Sequence, residues 1–357
     1  MNKKICLLTD SLSSGGAEKM VSNLSFSLSK KGYQVFIVLM IDEISYPFAG
    51  ELYNFGKIKL TNTKLKSFFK FKRYFRTQQF DVILDHRVRM SFFKELIFSK
   101  IVFRNYKVIY GVHHYDLSFY FPCINMPLFS KLTLVNNKKI VSVSKEIKQA
   151  LKQQLKLYSN VIYNYPLFNN LENIDGLKTL SNIKYIVGLG RLTTIKQFDV
   201  LIKSYKNSKL SEAGIQLLIL GEGPEKNNLE QLIRESNLNE FVKLKGFQNN
   251  PHLFIKHSKA LVLSSKSEGF PMVLIEALEL GTPIISFDCK SGPNEIITNE
   301  INGLLVEDQN THLLTQALNK LLLDTRFYNT IKNNINQNPS SFSEVNIIQQ
   351  WIDLIET

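Results

Sequence analysis

The chain has 357 residues, of which 44% are apolar and 21% charged, and it carries a net charge of +13. That length and balance exclude wholesale disorder, a collagen repeat and a long coiled coil, and suit two domains, each with its own core. No run of about 18 uncharged apolar residues suggests a membrane span. The basic start is followed by an apolar run, Ile5–Leu8, too short for a signal peptide. Cys6, Cys123 and Cys289 lie far apart, which argues against a disulfide framework or a zinc finger and fits a reducing cytosol.

In chain order, Lys4–Thr9 reads as a strand, Ser11–Gly16 as a small-residue loop and Ala17–Ser29 as a helix with Met20, Val21, Leu24 and Leu28 on one face. Tyr33–Met40 is the next strand, completing a βαβ unit with a glycine loop after its first strand. Lys64–Gln78 reads as a basic amphipathic helix, with Leu65, Phe68, Phe69 and Phe75 at helical spacing among Lys66, Lys70, Lys72, Arg73 and Arg76. Asp81–Leu84, Lys107–Val112, Lys139–Val143 and Val161–Tyr163 read as strands, and Ser144–Leu157 as a helix. Leu167–Asn182 lacks a period and reads as a linker. A second series has strands at 184–188, 215–220, 241–245, 260–263 and 283–287, with helices near 198–206, 224–235, 251–257 and 271–280. The tail 344–355 spaces Val345, Ile348, Trp351, Ile352 and Ile355 as one more helix. The Asn- and Lys-rich stretch after residue 307 carries no clear reading. Two alternating series imply an α/β protein with two doubly wound sheets: domains at 1–166 and 183–340, and a tail helix, 341–357, packing back on the first domain. Ligands of such sheets sit at the carboxyl ends of strands.

The charge is lopsided. Residues 1–170 carry 26 basic and 10 acidic side chains, whereas 171–357 carry 18 and 21. The segment 57–107 alone has 14 basic and three acidic residues, interleaved with aromatics. An ordinary core-facing helix with a solvated basic face would account for this. So would an anionic membrane surface, and nucleic acid fits the charge less well, since the acidic balance of the second half and the lack of any nucleic-acid motif count against it.

There is no P-loop, no G-x-G-x-x-G, no H-E-x-x-H, no D-x-D and no G-x-S-x-G. The residues present are Gly15-Gly16-Ala17-Glu18 after the first strand; Gly190-Arg191-Leu192 with Lys196; Gly221-Glu222-Gly223-Pro224; and Ser267-Glu268-Gly269-Phe270-Pro271 running to Glu276 across a loop-to-helix junction. Gly281-Thr282-Pro283, Ser291-Gly292-Pro293-Asn294-Glu295 and Asn302-Gly303 follow.

In order and spacing this set resembles the retaining GT-B glycosyltransferases of family 4, over nearly the whole chain and most strongly from 184 to 307. The resemblance implies two Rossmann-like domains facing across a cleft, with a nucleotide sugar held mainly by the second and the acceptor by the first. It implies that Arg191 and Lys196 meet the donor diphosphate in place of a metal ion. It places phosphates near Gly269, Phe270 and Pro271, at a helix N-terminus. It also implies that Glu276 holds the ribose and that Glu268 lies near the donor hexose, as nucleophile, electrostatic support or hydroxyl anchor. Gly15 and Gly16 would let backbone approach a phosphate or the acceptor. His113, with His114 as its alternative, would contact the hexose or assist the acceptor, and His86 is a weaker candidate. No cofactor or metal is implied. The expected reaction moves a hexose or N-acetylhexosamine from a donor, expected to be UDP-linked, to a growing surface glycan such as capsule or lipopolysaccharide. The acceptor would be lipid-diphosphate-linked, and the enzyme peripheral on the inner face of the cell membrane through Lys70, Lys72, Arg73 and Arg76. A sugar-nucleotide epimerase of the same fold is the alternative.

Overall fold

The computed structural model describes residues 3–13, 15–168, 183–337 and 341–357. The segment read as a linker therefore lies, from residue 169 to 182, outside the described residues. The chain divides into two compact units, Met1–Tyr165 with Glu344–Thr357, and Pro166–Ser343.

The first unit carries strands β1 (Lys4–Thr9), β2 (Gln34–Leu39), β3 (Glu51–Asn54), β4 (Val82–Asp85), β5 (Lys107–Val112), β6 (Lys138–Ser142) and β7 (Asn160–Val161). They form a parallel sheet in the order β3-β2-β1-β4-β5-β6-β7. Ile5 to Leu8 are wholly buried, as strands covered on both faces require. The covering helices are α1 (Gly16–Lys30), α2 (Phe55–Thr61), α3 (Lys64–Gln78), α4 (Phe92–Ile97), which runs on as a π-helical turn over Phe98–Val102, α5 (Pro127–Leu132) and α6 (Lys145–Leu155). The second unit carries β8 (Lys184–Leu189), β9 (Ile215–Leu220), β10 (Val242–Leu244), β11 (Leu261–Leu263), β12 (Ile284–Phe287) and β13 (Gly303–Val306), ordered β10-β9-β8-β11-β12-β13. Its helices are α7 (Phe198–Lys206), α8 (Lys226–Glu235), α9 (Pro251–His257), α10 (Met272–Glu279), α11 (Pro293–Ile296), α12 (Thr311–Leu323) and α13 (Thr325–Gln337). Both sheets contain the doubly wound order 3-2-1-4-5-6, whose strand order reverses between its first and fourth strands. The reversal falls between β1 and β4 in one unit and between β8 and β11 in the other.

The tail forms α14 (Glu344–Glu356), which belongs to the first unit. Its buried stripe is Ile347, Ile348, Trp351, Leu354 and Ile355, while Val345 is exposed. Lys107 Nζ donates to the carbonyls of Leu354 and Ile355, 2.9 Å each, satisfying acceptors left over at the helix end.

Two sequence readings are corrected, and elements the sequence reading passed over are added. The stretch after 307 is not featureless: Leu314, Leu318 and Leu321 bury one face of α12, and Ile331 and Ile335 bury one face of α13. The strand β3 and the helix α2 had no sequence signal. On α3 the inward residues are Ser67, Phe71 and Phe75, whereas Leu65 is 67% and Phe69 58% exposed. Phe71 decides the orientation, stacking on Phe98 at 5.2 Å and meeting Phe55 at 4.6 Å.

Below the end of β4 lies a buried ion cluster. Arg87 donates two bonds to Asp85, at 2.9 and 2.8 Å, and two to Glu95, at 3.4 and 3.0 Å. Its guanidinium lies 5.0 Å from the Phe98 ring. Burial alone would raise the Asp85 carboxyl; the Arg87 and then the Arg89 guanidinium outweigh it and hold the group below the usual carboxylate range. Arg89 packs on the Tyr110 and Tyr120 rings and donates to the Tyr120 carbonyl.

Candidate functional site

In the second unit the loops after β8 and β11 flank the reversal point; the first carries Arg191 and Lys196 and the second Glu268. The β8 loop is fixed by its neighbour: Leu192 N–H donates to the Glu222 carbonyl, and Glu225 N–H to the Leu192 carbonyl. Gly221 makes this possible. Its φ is +135°, and a Cβ would fall 1.9 Å from the Gly190 carbonyl oxygen, so no other residue fits without moving the loop. Arg191 is exposed on this loop. Lys196 ends it, with its carbonyl accepting from Ser264 Oγ at 2.9 Å. Glu268, after β11, is held by its own N–H to the Lys290 carbonyl. Lys196 Nζ and Glu268 Oε1 meet at 2.6 Å, with the two side chains 25% and 11% exposed.

Gly269 accepts from Ser291 Oγ at 2.6 Å. Phe270 is buried edge-on against Phe342. Pro271 is the N-cap of α10, so the loop-to-helix junction falls where the motif placed it. Glu276, on the second turn, is buried and lies 3.5 Å from His252 Nε2 on α9. The structure thus joins Lys196 to Glu268, and gives Glu276 a partner that the sequence reading passed over. A histidine at the start of a Pro-initiated helix carried no distinguishing signal.

In the first unit, Gly15 is the N-cap of α1 and Gly16 its first residue. The Glu18 carboxylate folds back over Gly15, and burial raises its pKa. His113 follows β5, but its ring does not lie open. It is buried, its Nε2 sits 2.8 Å from His86 Nδ1, and its Nδ1 is enclosed. His114 is half-buried; its Nδ1 accepts from Asp116 N–H at 3.1 Å and its ring stacks on Tyr115. Lys70, Lys72, Arg73 and Arg76 are all exposed on α3. Among the described residues no helix is long and apolar enough to cross a membrane.

Residues 172–338 match the family model for glycosyl transferases group 1, and residues 14–165 that for glycosyltransferase family 4. A Campylobacter jejuni protein is 30% identical over 97% of both chains and is named as an N-acetylgalactosaminyltransferase acting on a sugar-diphospho-undecaprenol. The chain belongs to the glycosyltransferases. A Methanocaldococcus jannaschii glycosyltransferase is 35% identical over 59% of the chain, which spans about half (48%) of that relative's length. The crystal structure of Anabaena Alr3699/HepE in complex with UDP and glucose superposes with a TM-score of 0.78, covering 99% of this chain and 100% of that one at 19% identity. That likeness shows a GT-B fold for this glycosyltransferase. The relatives are named as transferases and do not favour the epimerase alternative.

Proposed function

We propose that this glycosyltransferase is a retaining, metal-independent enzyme. It moves a hexose or N-acetylhexosamine from a uridine diphosphate donor to a lipid-diphosphate-linked surface glycan. The observation that carries the reading is the Lys196–Glu268 pair at the reversal point of the second sheet, beside the exposed Arg191. A departing diphosphate gains negative charge as the glycosidic bond breaks, and Lys196 and Arg191 supply fixed positive charge there. Glu268 lies within the same contact, placed to support the positive anomeric centre or a hydroxyl. Glu276, backed by His252, offers a carboxylate to a ribose. UDP and glucose in the Anabaena neighbour, and the diphospho-undecaprenol named for the Campylobacter relative, support the choice of donor and acceptor.

The test is thermal unfolding with UDP, GDP, ADP and CDP, each with and without EDTA. A ligand that binds only the folded state stabilises it by about 2.7 kcal/mol at a hundredfold excess over its Kd. The expected result is a shift with UDP that EDTA leaves unchanged. A shift with another diphosphate alone overturns the uridine donor, and a shift abolished by EDTA overturns metal independence.

The basic face fits an enzyme docked at the inner surface of the membrane. Leu65 and Phe69 stand out from α3 among Lys66, Lys70, Lys72, Arg73 and Arg76, and Phe93 and Leu128, 76% and 77% exposed, stand out from α4 and α5. Each basic residue near an anionic surface is worth about 1 kcal/mol. Replacing Lys70, Lys72, Arg73 and Arg76 by Gln is therefore expected to weaken sedimentation with phosphatidylglycerol vesicles by roughly a thousandfold at low salt. Unchanged sedimentation would remove α3 from membrane contact and leave the transferase reading standing.

A further inference from the structure

In the first unit the strands β4, β5 and β6 lie next to one another in the sheet, so right-handed crossovers put α4 and α5 on one face of it. The two helices run side by side. Phe92 and Phe129 meet near one end, with ring centroids 6.3 Å apart, and Lys100 Nζ donates to the Leu134 carbonyl near the other, at 3.2 Å. Each helix leaves a line of large apolar side chains in the open. Phe93, Ile97 and Ile101 follow at steps of four along α4 and its π-helical turn, and Leu128 and Leu132 at a step of four along α5. Single exposed apolar residues are ordinary, but a contiguous set on two neighbouring helices marks a surface that something covers.

The charge says what. Lys94, Lys100 and Arg104 are exposed beside the first line, and Lys131 is half-buried beside the second. The only carboxylate on either helix, Glu95, is buried against Arg87. Cations therefore flank the apolar lines with no exposed acid among them, which suits an anionic amphiphile. Two copies of this chain, each with a net charge of +13, would repel across such a face.

The lines lead to a cavity. Ser99, Lys100, Arg104, Val135 and Asn136 line a pocket of about 240 Å³. That is several times the roughly 30 Å³ of one water in the liquid, and gives room for a phosphate. Lys100 has three N–H groups and spends one on Leu134. Arg104 is exposed and holds no ion pair among the described residues, so its planar fork is free for a phosphate. Arg104 precedes β5 and Asn136 precedes β6. The pocket thus lies at the amino ends of the strands, the opposite edge from the carboxyl ends where ligands of such sheets sit, and what it holds is not a reactant.

We propose that this pocket binds the phosphate of an anionic phospholipid whose acyl chains lie along Ile101, Ile97 and Leu132. The lipid remains in its leaflet and seats α4 and α5 on the bilayer. The site rests on the membrane half of the reading above and on none of its chemistry, since it needs neither donor nor turnover.

Monomeric dihexanoylphosphatidylglycerol is the probe, because a lipid free in solution cannot respond to the general charge of a bilayer. It should slow hydrogen exchange in 97–104 and 133–137. Lys100→Gln with Arg104→Gln should weaken its binding about thirtyfold. Lys70→Gln with Arg73→Gln, the same change of charge on α3, should leave it within about twofold. Ile97→Ser with Leu132→Ser should weaken the lipid about tenfold and leave binding of inorganic phosphate unchanged. All six side chains are exposed, so the variants should unfold at the wild-type temperature. Inorganic phosphate bound as tightly as the lipid would overturn a lipid site. Equal binding of dihexanoylphosphatidylcholine would overturn the anionic preference, and equal losses from the two charge pairs would overturn the pocket. Binding of neither lipid would overturn the site outright and leave the face to a protein partner. The UDP thermal panel is independent of every one of these outcomes, so failure here and failure of the transferase reading are told apart.

Discussion

Arg87→Met is expected to destabilise the first unit by about 3–5 kcal/mol, because it leaves Asp85 and Glu95 buried without their shared cation. For a unit of this size that is a drop of roughly 6–20 °C in its unfolding temperature. Arg87 itself is 0% exposed, and its four bonds end on two carboxylates that are themselves buried, so water cannot take over its role. The pH dependence gives an independent check. In the wild type the folded Asp85 carboxyl is depressed, so its contribution is complete above the unfolded value of about 3.9 and is lost as pH falls through the folded value. Without the guanidinium, burial dominates and raises the carboxyl above its unfolded value. The variant should then gain stability relative to the wild type as pH is lowered from 7 toward 4, a range over which the wild-type Asp85 contribution is flat. Removing all three charges together, as Asp85→Asn, Arg87→Met and Glu95→Gln, should recover much of the loss. A single Arg87→Met variant within about 1 kcal/mol of wild type would show that the carboxylates find other partners.

This cluster also marks where the sequence stops being readable. Asp85-His86-Arg87-Val88-Arg89 has the composition of a solvated loop, and nothing local says otherwise. Its burial depends on Glu95, one helix later, and on Phe98 and Tyr110 supplying the walls. Strands such as β1, β5 and β9 were legible because burial on both faces leaves a continuous apolar run. On α3 two apolar stripes compete, Leu65 with Phe69 and Phe71 with Phe75, and only the packing of Phe71 on Phe55 and Phe98 decides which faces inward. The second-unit site was legible as far as motif residues carried it, which placed Lys196 and Glu268 in loops that the structure brings into contact. His252 was not, because it works through Glu276, a residue distant in sequence, and belongs to no recognisable spacing.

Lys196→Ala is expected to lower turnover on the order of 10²-fold, as loss of one preorganised donor to a developing anion does elsewhere. The ion pair with Glu268 makes the expectation sharper than a simple loss. Lysine has three N–H donors, so Lys196 can keep Glu268 at 2.6 Å while another proton meets a phosphate oxygen. In Lys196→Ala the Glu268 carboxylate remains with its counter-ion gone, and its charge then opposes a diphosphate arriving at the same place. Glu268→Gln in that background should therefore restore part of donor binding, although Glu268→Gln alone should lower turnover. The two losses are expected to be non-additive by about 0.5–3 kcal/mol, as for residues in direct contact. Lys196→Arg should recover charge but not full rate, since a planar guanidinium cannot occupy the place of a compact ammonium at both partners. The measurement is nucleoside diphosphate release from sugar donors carrying the nucleotide that the thermal panel selects, with kcat and KM taken separately for the two single variants and the double. Near-wild-type turnover in Lys196→Ala would remove the lysine from the leaving group, and strictly additive losses would mean that its contact with Glu268 serves the loop and not the reaction.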